Sequence, residues 1–150
     1  MSRQQGFLAA VAVLAVLAAI IYFPWPDRSG RVQVTGTVYL NGVPLEVVRG
    51  SKIGFGPADA AGGGYSASGA IDEQGRYRLG TFKPGDGVLP GTYRVSVIAW
   101  KKVPGWRDDI TYGAPVPSAV PKRYEDAETS DITIEVTSER SQTIDIKLTK

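Results

Sequence analysis

An all-β fold is predicted for this chain: a small antiparallel β-sandwich of about seven strands over residues 31–150, preceded by one N-terminal transmembrane helix. Three observations predict it. Residues 7–23 form an unbroken, uncharged apolar run. From Arg31 onward, apolar residues recur at every second position, which is the period of a half-buried strand. Clusters of Asn, Asp, Gly and Pro cut that pattern into short segments, and many short strands with frequent turns favour a sandwich over helical or parallel-sheet architectures.

The apolar run reads FLAAVAVLAVLAAIIYF. As a helix it covers most of a hydrocarbon layer roughly 30 Å thick, and a helix apolar all round at the start of a chain is better placed in lipid than in a protein core. Arg3 precedes it. Tyr22, Phe23 and Trp25 fall where an aromatic belt meets the headgroups, and Pro24 and Pro26 end the helix. Residues 1–30 are therefore expected to be a signal-anchor and short linker that crosses the membrane once, with residues 31–150 outside the cytoplasm. The alternative is a cleavable signal peptide, with Val16 and Ala18 at the minus-three and minus-one positions of a possible site, which leaves the domain secreted or periplasmic.

Val32, Val34, Val38 and Leu40 alternate with polar residues and mark the first strand; Asn41 and Gly42 then favour the left-handed backbone of a tight turn. Ile53 and Phe55 suggest a second inward face, and residues 60–64 a surface connection. Residues 65–71 and 76–79 bracket Asp72, Glu73, Gln74 and Gly75, the pattern of a hairpin turn in which Asp72 accepts a local backbone hydrogen bond. Lys83, Pro84, Gly85, Asp86 and Gly87 form another turn; their glycines do not follow a phosphate-cradling pattern. Residues 91–100 carry the strongest strand, with Tyr93, Val95 and Val97 on one face, and it is expected to cross a sheet centre. Two last alternating runs, Ile132, Ile134, Val136 and Ile144, Ile146, Leu148, are expected to pair as a terminal hairpin. Val34, Val38, Tyr77, Leu79, Tyr93, Val95, Val97, Ile134 and Ile146 should share one core.

Residues 101–130 break the strand rhythm with Pro104, Gly105, Pro115, Pro117 and Pro121, and are longer than an ordinary connection in a compact domain. Trp106 and Tyr112 are the aromatic residues there best suited to exposure, with Arg107, Asp108 and Asp109 beside them as a polar rim. These five residues form the candidate partner-binding site. Trp100 and Tyr124, which border the excursion, are expected to pack against the core or its rim. Packing is the competing explanation for the excursion as a whole.

Composition narrows function. The chain has no cysteine and no histidine, so disulfides, Ser-His-Asp and Cys-His chemistry and histidine-rich zinc sites cannot be assembled within it. Carboxylates at Asp108, Asp109, Glu125, Asp126 and Glu128 are the remaining groups for acid–base work or calcium binding, and they lack the spacing of either site. The formal charge is only +2 and the basic residues are interleaved with acids, unlike the basic stripe of a nucleic-acid binder. No enzyme activity, cofactor, metal or nucleic-acid partner is expected.

Three phrases in this order, VTGTVYLNGVPL, SASGAIDEQGRYRLGTFKPGDGVLPGTYRVSV and PKRYEDAETSDITIEV followed by TIDIKL, resemble the bacterial exported carboxypeptidase regulatory-like, or transthyretin-like, domain family. The most specific part is Asp72, Gly75, Tyr77, Leu79 with Pro90, Gly91, Tyr93. The resemblance implies a β-sandwich at the bacterial cell envelope and no peptidase activity. Many such relatives begin with a lipoprotein cysteine, whereas this chain has the apolar run instead. The expectation is a non-enzymatic structural or protein-interaction module, its partners the membrane through residues 7–23 and an envelope protein or glycan; the alternative is a carbohydrate- or peptide-binding module.

Overall fold

The structure, a computed structural model, describes residues 30–59, 64–101 and 117–150. The predicted membrane helix lies outside the described residues, among which no helix is long and apolar enough to cross a membrane.

Alternation makes β1 (Gln33–Leu40): Val34 and Val38 point inward and are fully buried. Asn41 and Gly42 both take positive φ, at 52° and 81°, which gives the right-handed twist a two-residue hairpin needs, and β2 (Val43–Pro44) folds back on Leu40. β3 (Lys52–Pro57), β4 (Ala67–Ala70), β5 (Arg76–Arg78), β6 (Gly91–Ile98), β7 (Thr133–Val136), β8 (Ser141–Thr143) and β9 (Ile146–Leu148) follow, with a 3-10 turn at Lys122–Tyr124 before β7. The described residues thus hold nine strands, several very short, in two sheets rich in antiparallel pairs.

One sheet runs β4-β3-β6-β7, antiparallel throughout. As expected, β6 lies inside it, between β3 and β7, and Tyr93, Val95 and Val97 face the core. The other sheet is centred on β1. β2 and β5 pair antiparallel on one edge, while β8 and β9 pair parallel on the other. Ile53, Phe55, Val95 and Val136 of the first sheet meet Val34, Val38, Leu79 and Ile146 of the second, all nearly inaccessible. Phe55 lies with its ring centroid 6.3 Å from that of Tyr77 and 6.0 Å from that of Tyr93, so one aromatic cluster joins both sheets. Of the expected core, only Ile134 is no more than half-buried.

Two expectations change. The segment around Asp72 does turn as predicted, with Asp72 accepting from the Gln74 N–H at 3.0 Å and the Arg76 N–H at 2.8 Å. Its two arms, bridged at Ser68–Gly80 and Ile71–Tyr77, belong to different sheets, so the hairpin seams one sandwich edge. The terminal hairpin is not formed. β7 pairs with β6, and the chain then crosses to β1. Alternation specifies which face of a strand is buried but not its neighbour, and the free edge of β1 takes the last run. The Gln142 amide holds the crossing: its nitrogen donates to the Glu135 carbonyl at 3.2 Å and its oxygen accepts from the Thr137 N–H at 3.0 Å, occupying backbone groups at the end of β7.

Candidate functional site

Beyond Ile98 the chain keeps its extended course. Ala99 accepts from the Ala119 N–H at 2.8 Å, Trp100 bridges to Ser118, and the Lys101 N–H donates to the Pro117 carbonyl at 3.0 Å. These rungs clasp the two ends of residues 102–116 side by side. The Trp100 backbone is fixed on its other edge too, because its N–H donates to the buried Ser51 hydroxyl at 3.0 Å and its carbonyl accepts from Val48 at 3.2 Å. Trp106, Arg107, Asp108, Asp109 and Tyr112, the candidate binding residues, lie outside the described residues; the clasp establishes only where that segment leaves the sandwich and returns.

Beside the clasp is an open groove of about 960 Å³. Ile98 and Trp100, both half-buried, line it from the β6 side. Lys52, Lys122, Arg123, Glu125 and Asp126 provide charged groups of both signs. The 3-10 turn sets the opposite wall: Pro121 opens it, the Tyr124 ring is buried beneath it, and Arg123 lies over that ring at 4.6 Å. Arg123 also donates to the Tyr124 hydroxyl at 3.0 Å and to the Thr149 carbonyl, which ties the wall to the end of the chain. Burial acts to raise the Tyr124 phenol pKa, but hydrogen bonds with Thr149 and Arg123, together with the Arg123 charge, outweigh it and hold the phenol below its ordinary value. Trp100 and Tyr124 therefore pack at the rim and in the core, as the sequence led us to expect.

Of the candidate carboxylates, Asp108 and Asp109 lie outside the described residues, and Glu125, Asp126 and Glu128 sit at and after the end of the 3-10 turn. Asp126 accepts from the Glu128 N–H at 2.8 Å, a local turn contact, and among the described residues no three acidic side chains gather into a group able to hold a metal. The glycine-rich turn at 83–87 is closed by its own side chain: Asp86 accepts from the Thr81 N–H at 2.7 Å and the Phe82 N–H at 3.3 Å, and Arg31 stands 3.7 Å from it. Burial would raise the Asp86 pKa, but the N–H groups of Thr81, Phe82 and Lys83 and the Arg31 charge hold it below the usual carboxylate range. An anion in that turn would displace the chain's own carboxylate.

Sequence reasoning missed the groove. Lys52 and Ile98 lie on paired strands, directly opposite each other, yet far apart in the chain. The nearest signal was Lys122 and Arg123 after Pro121, a basic pair entering a turn. No family model and no curated protein matches the chain. One similar solved structure is that of a DUF3823 family protein from Bacteroides ovatus ATCC 8483, at a TM-score of 0.42 and 17% identity over 79% of this chain; the match spans 44% of that protein's chain, less than half its length.

Proposed function

We propose that the protein is a non-enzymatic interaction module held at the outer face of a bacterial membrane by residues 7–23, and that the groove with the 102–116 excursion is its binding face. The observation that carries this reading is the clasp, which holds the two ends of an aromatic- and charge-bearing segment beside a groove with apolar and mixed-charge walls, the composition of a protein-binding surface. The placement also suits display. The chain enters the sandwich where Val32 bridges to Val88, near the start of β6, and the clasp lies past the end of β6, so the strand's length, about 25 Å, separates the point of chain entry from the groove. The phrases similar to carboxypeptidase regulatory-like domains fit such an accessory role.

The second reading is a carbohydrate- or peptide-binding module, favoured by the half-buried Trp100 on the groove wall, whose indole face suits a sugar ring. Affinity capture from envelope extract with the full chain, run beside a glycan array, separates the two. Loss of a captured envelope protein in Trp106→Ala/Tyr112→Ala at unchanged melting temperature supports the first reading. A glycan response lost in Trp100→Ala supports the second. A lower melting temperature with no change in capture or glycan binding assigns the excursion to packing and overturns both.

A further inference from the structure

The described surface has one prominent exposed aromatic pair, and it lies at the point of chain entry. Tyr65 and Phe82 are 54% and 60% exposed, yet they stack edge to face with centroids 5.1 Å apart. Arg31, the second described residue, lies over the Phe82 ring at 5.5 Å and donates from Nε to the Asp86 carbonyl at 3.1 Å. Val32 and Val88 then exchange backbone hydrogen bonds at 2.7 and 2.9 Å, which fixes the incoming chain to the turn that carries Phe82. Lys83 is exposed next to Phe82, and the Arg78 guanidinium flanks Gly85 of the same turn. Against these three cations stands Asp86, whose carboxylate is already engaged by N–H groups and Arg31.

We infer that this face, Tyr65 and Phe82 framed by Arg31, Arg78 and Lys83, docks on the surface of an anionic lipid bilayer, so that the domain rests on the membrane in a preferred orientation. The inference rests on the anchor reading above. Seven residues, 24–30, separate the apolar run from Arg31, and fully extended they reach at most about 25 Å. The aromatic pair is thereby held within reach of the headgroups, where amphipathic rings are favoured and basic side chains meet anionic lipid. A tether and a basic aromatic patch act together, each weak alone in fixing orientation. The groove at the far end of β6 is then turned away from the lipid.

The chain has no native cysteine, so single labels report cleanly. The full chain carrying Ser66→Cys beside Tyr65, or Glu128→Cys at the groove end, is labelled with a fluorophore and reconstituted in phosphatidylcholine vesicles with about 30% phosphatidylglycerol, the mixture that supplies the attraction for basic side chains. Lipids with spin-labelled headgroups should quench position 66 at least about twofold more than position 128, and Tyr65→Ser/Phe82→Ser or Lys83→Glu should erase much of that difference. Flotation of the protein with the vesicles reports the anchor separately. Flotation with equal quenching at the two positions overturns the docking face and leaves the anchor standing; failure to float overturns both. Shielding of position 66 only at high protein-to-lipid ratio identifies a second copy as the occupant and also overturns the proposal.

Discussion

In the sheet β4-β3-β6-β7 each neighbouring pair is antiparallel, whereas the sheet around β1 mixes parallel and antiparallel edges and is completed by side chains. The contrast centres on Gly36. β8 and β9 keep one register along β1, but between them the Ile144 carbonyl turns over the face of Gly36 and accepts from the buried Tyr77 hydroxyl, while the Thr37 N–H is taken by the Asp145 carboxylate at 2.9 Å. A regular ladder satisfies its own backbone. An interrupted one needs partners placed by the rest of the fold, and the second sheet has recruited a phenol and a carboxylate for that purpose.

The largest expected effect breaks both sheets at once. Phe55, 1% exposed and stacked near Tyr77 and Tyr93, joins them, and Phe55→Ala should cost about 3–5 kcal/mol, read as a fall in the denaturant midpoint. A loss near that of an exposed position would disprove the shared aromatic cluster.

The comparison sharpens at two glycines. A Cβ at Gly36 would overlap the Ile144 carbonyl, which is backbone and cannot rotate away, so Gly36→Ala should cost about 1–3 kcal/mol. At Gly54 in the regular sheet the added Cβ meets the Ser96 hydroxyl at 2.8 Å, and that side chain can change rotamer. Gly54→Ala should therefore be the milder of the two in parallel urea titrations. The reverse order would mean that the break in the β1 sheet can relax.

Tyr77→Phe tests the phenol itself. It removes the hydroxyl bonded to Ile144 and should cost about 1 kcal/mol at neutral pH. Burial, reinforced by the Asp145 charge, raises the Tyr77 pKa in the folded protein. The unfolded phenol ionises near the ordinary value of about 10. The folded state thus holds its proton more tightly, and the stability this lends is complete below about pH 10 and declines as pH rises beyond it. Melting temperatures of the parent should drop more steeply than those of Tyr77→Phe between neutral pH and about pH 11; parallel curves would show that Tyr77 ionises freely.

The smallest effect belongs to the seam between the sheets. The Arg76 guanidinium donates to Asp72 at 2.8 Å, but both side chains are well exposed, and Arg76→Gln should change stability by less than about 1 kcal/mol. Burial would raise the Asp72 pKa, yet the N–H groups of Arg76 and Gln74 and the Arg76 charge leave it lowered. Whatever it contributes is present above about pH 4, the unfolded carboxyl's range, and is lost as pH falls through the lower folded value. An acid-unfolding midpoint moved strongly by Arg76→Gln would give the seam a larger role than its exposure allows.

Alternation and turn chemistry by themselves determined much of this protein. Val34 and Val38, Ile53 and Phe55, Tyr93 to Val97, the Asn41–Gly42 turn and the Asp72 turn are all local patterns, set by a side-chain period of two and by which residues tolerate positive φ. Tertiary structure alone decided which strands became neighbours. The same alternation in residues 144–148 suits a hairpin with β7 or a parallel place beside β1, and the choice rests on a free edge and on Gln142 bridging Glu135 and Thr137. It alone decided the groove as well, since Lys52, Trp100 and Arg123 converge only after β3 pairs with β6 and Tyr124 is buried. Period and propensity act between residues a few positions apart, whereas strand partners and surface clefts come from contacts between segments far apart in the chain, which leave no local mark in the order of the residues.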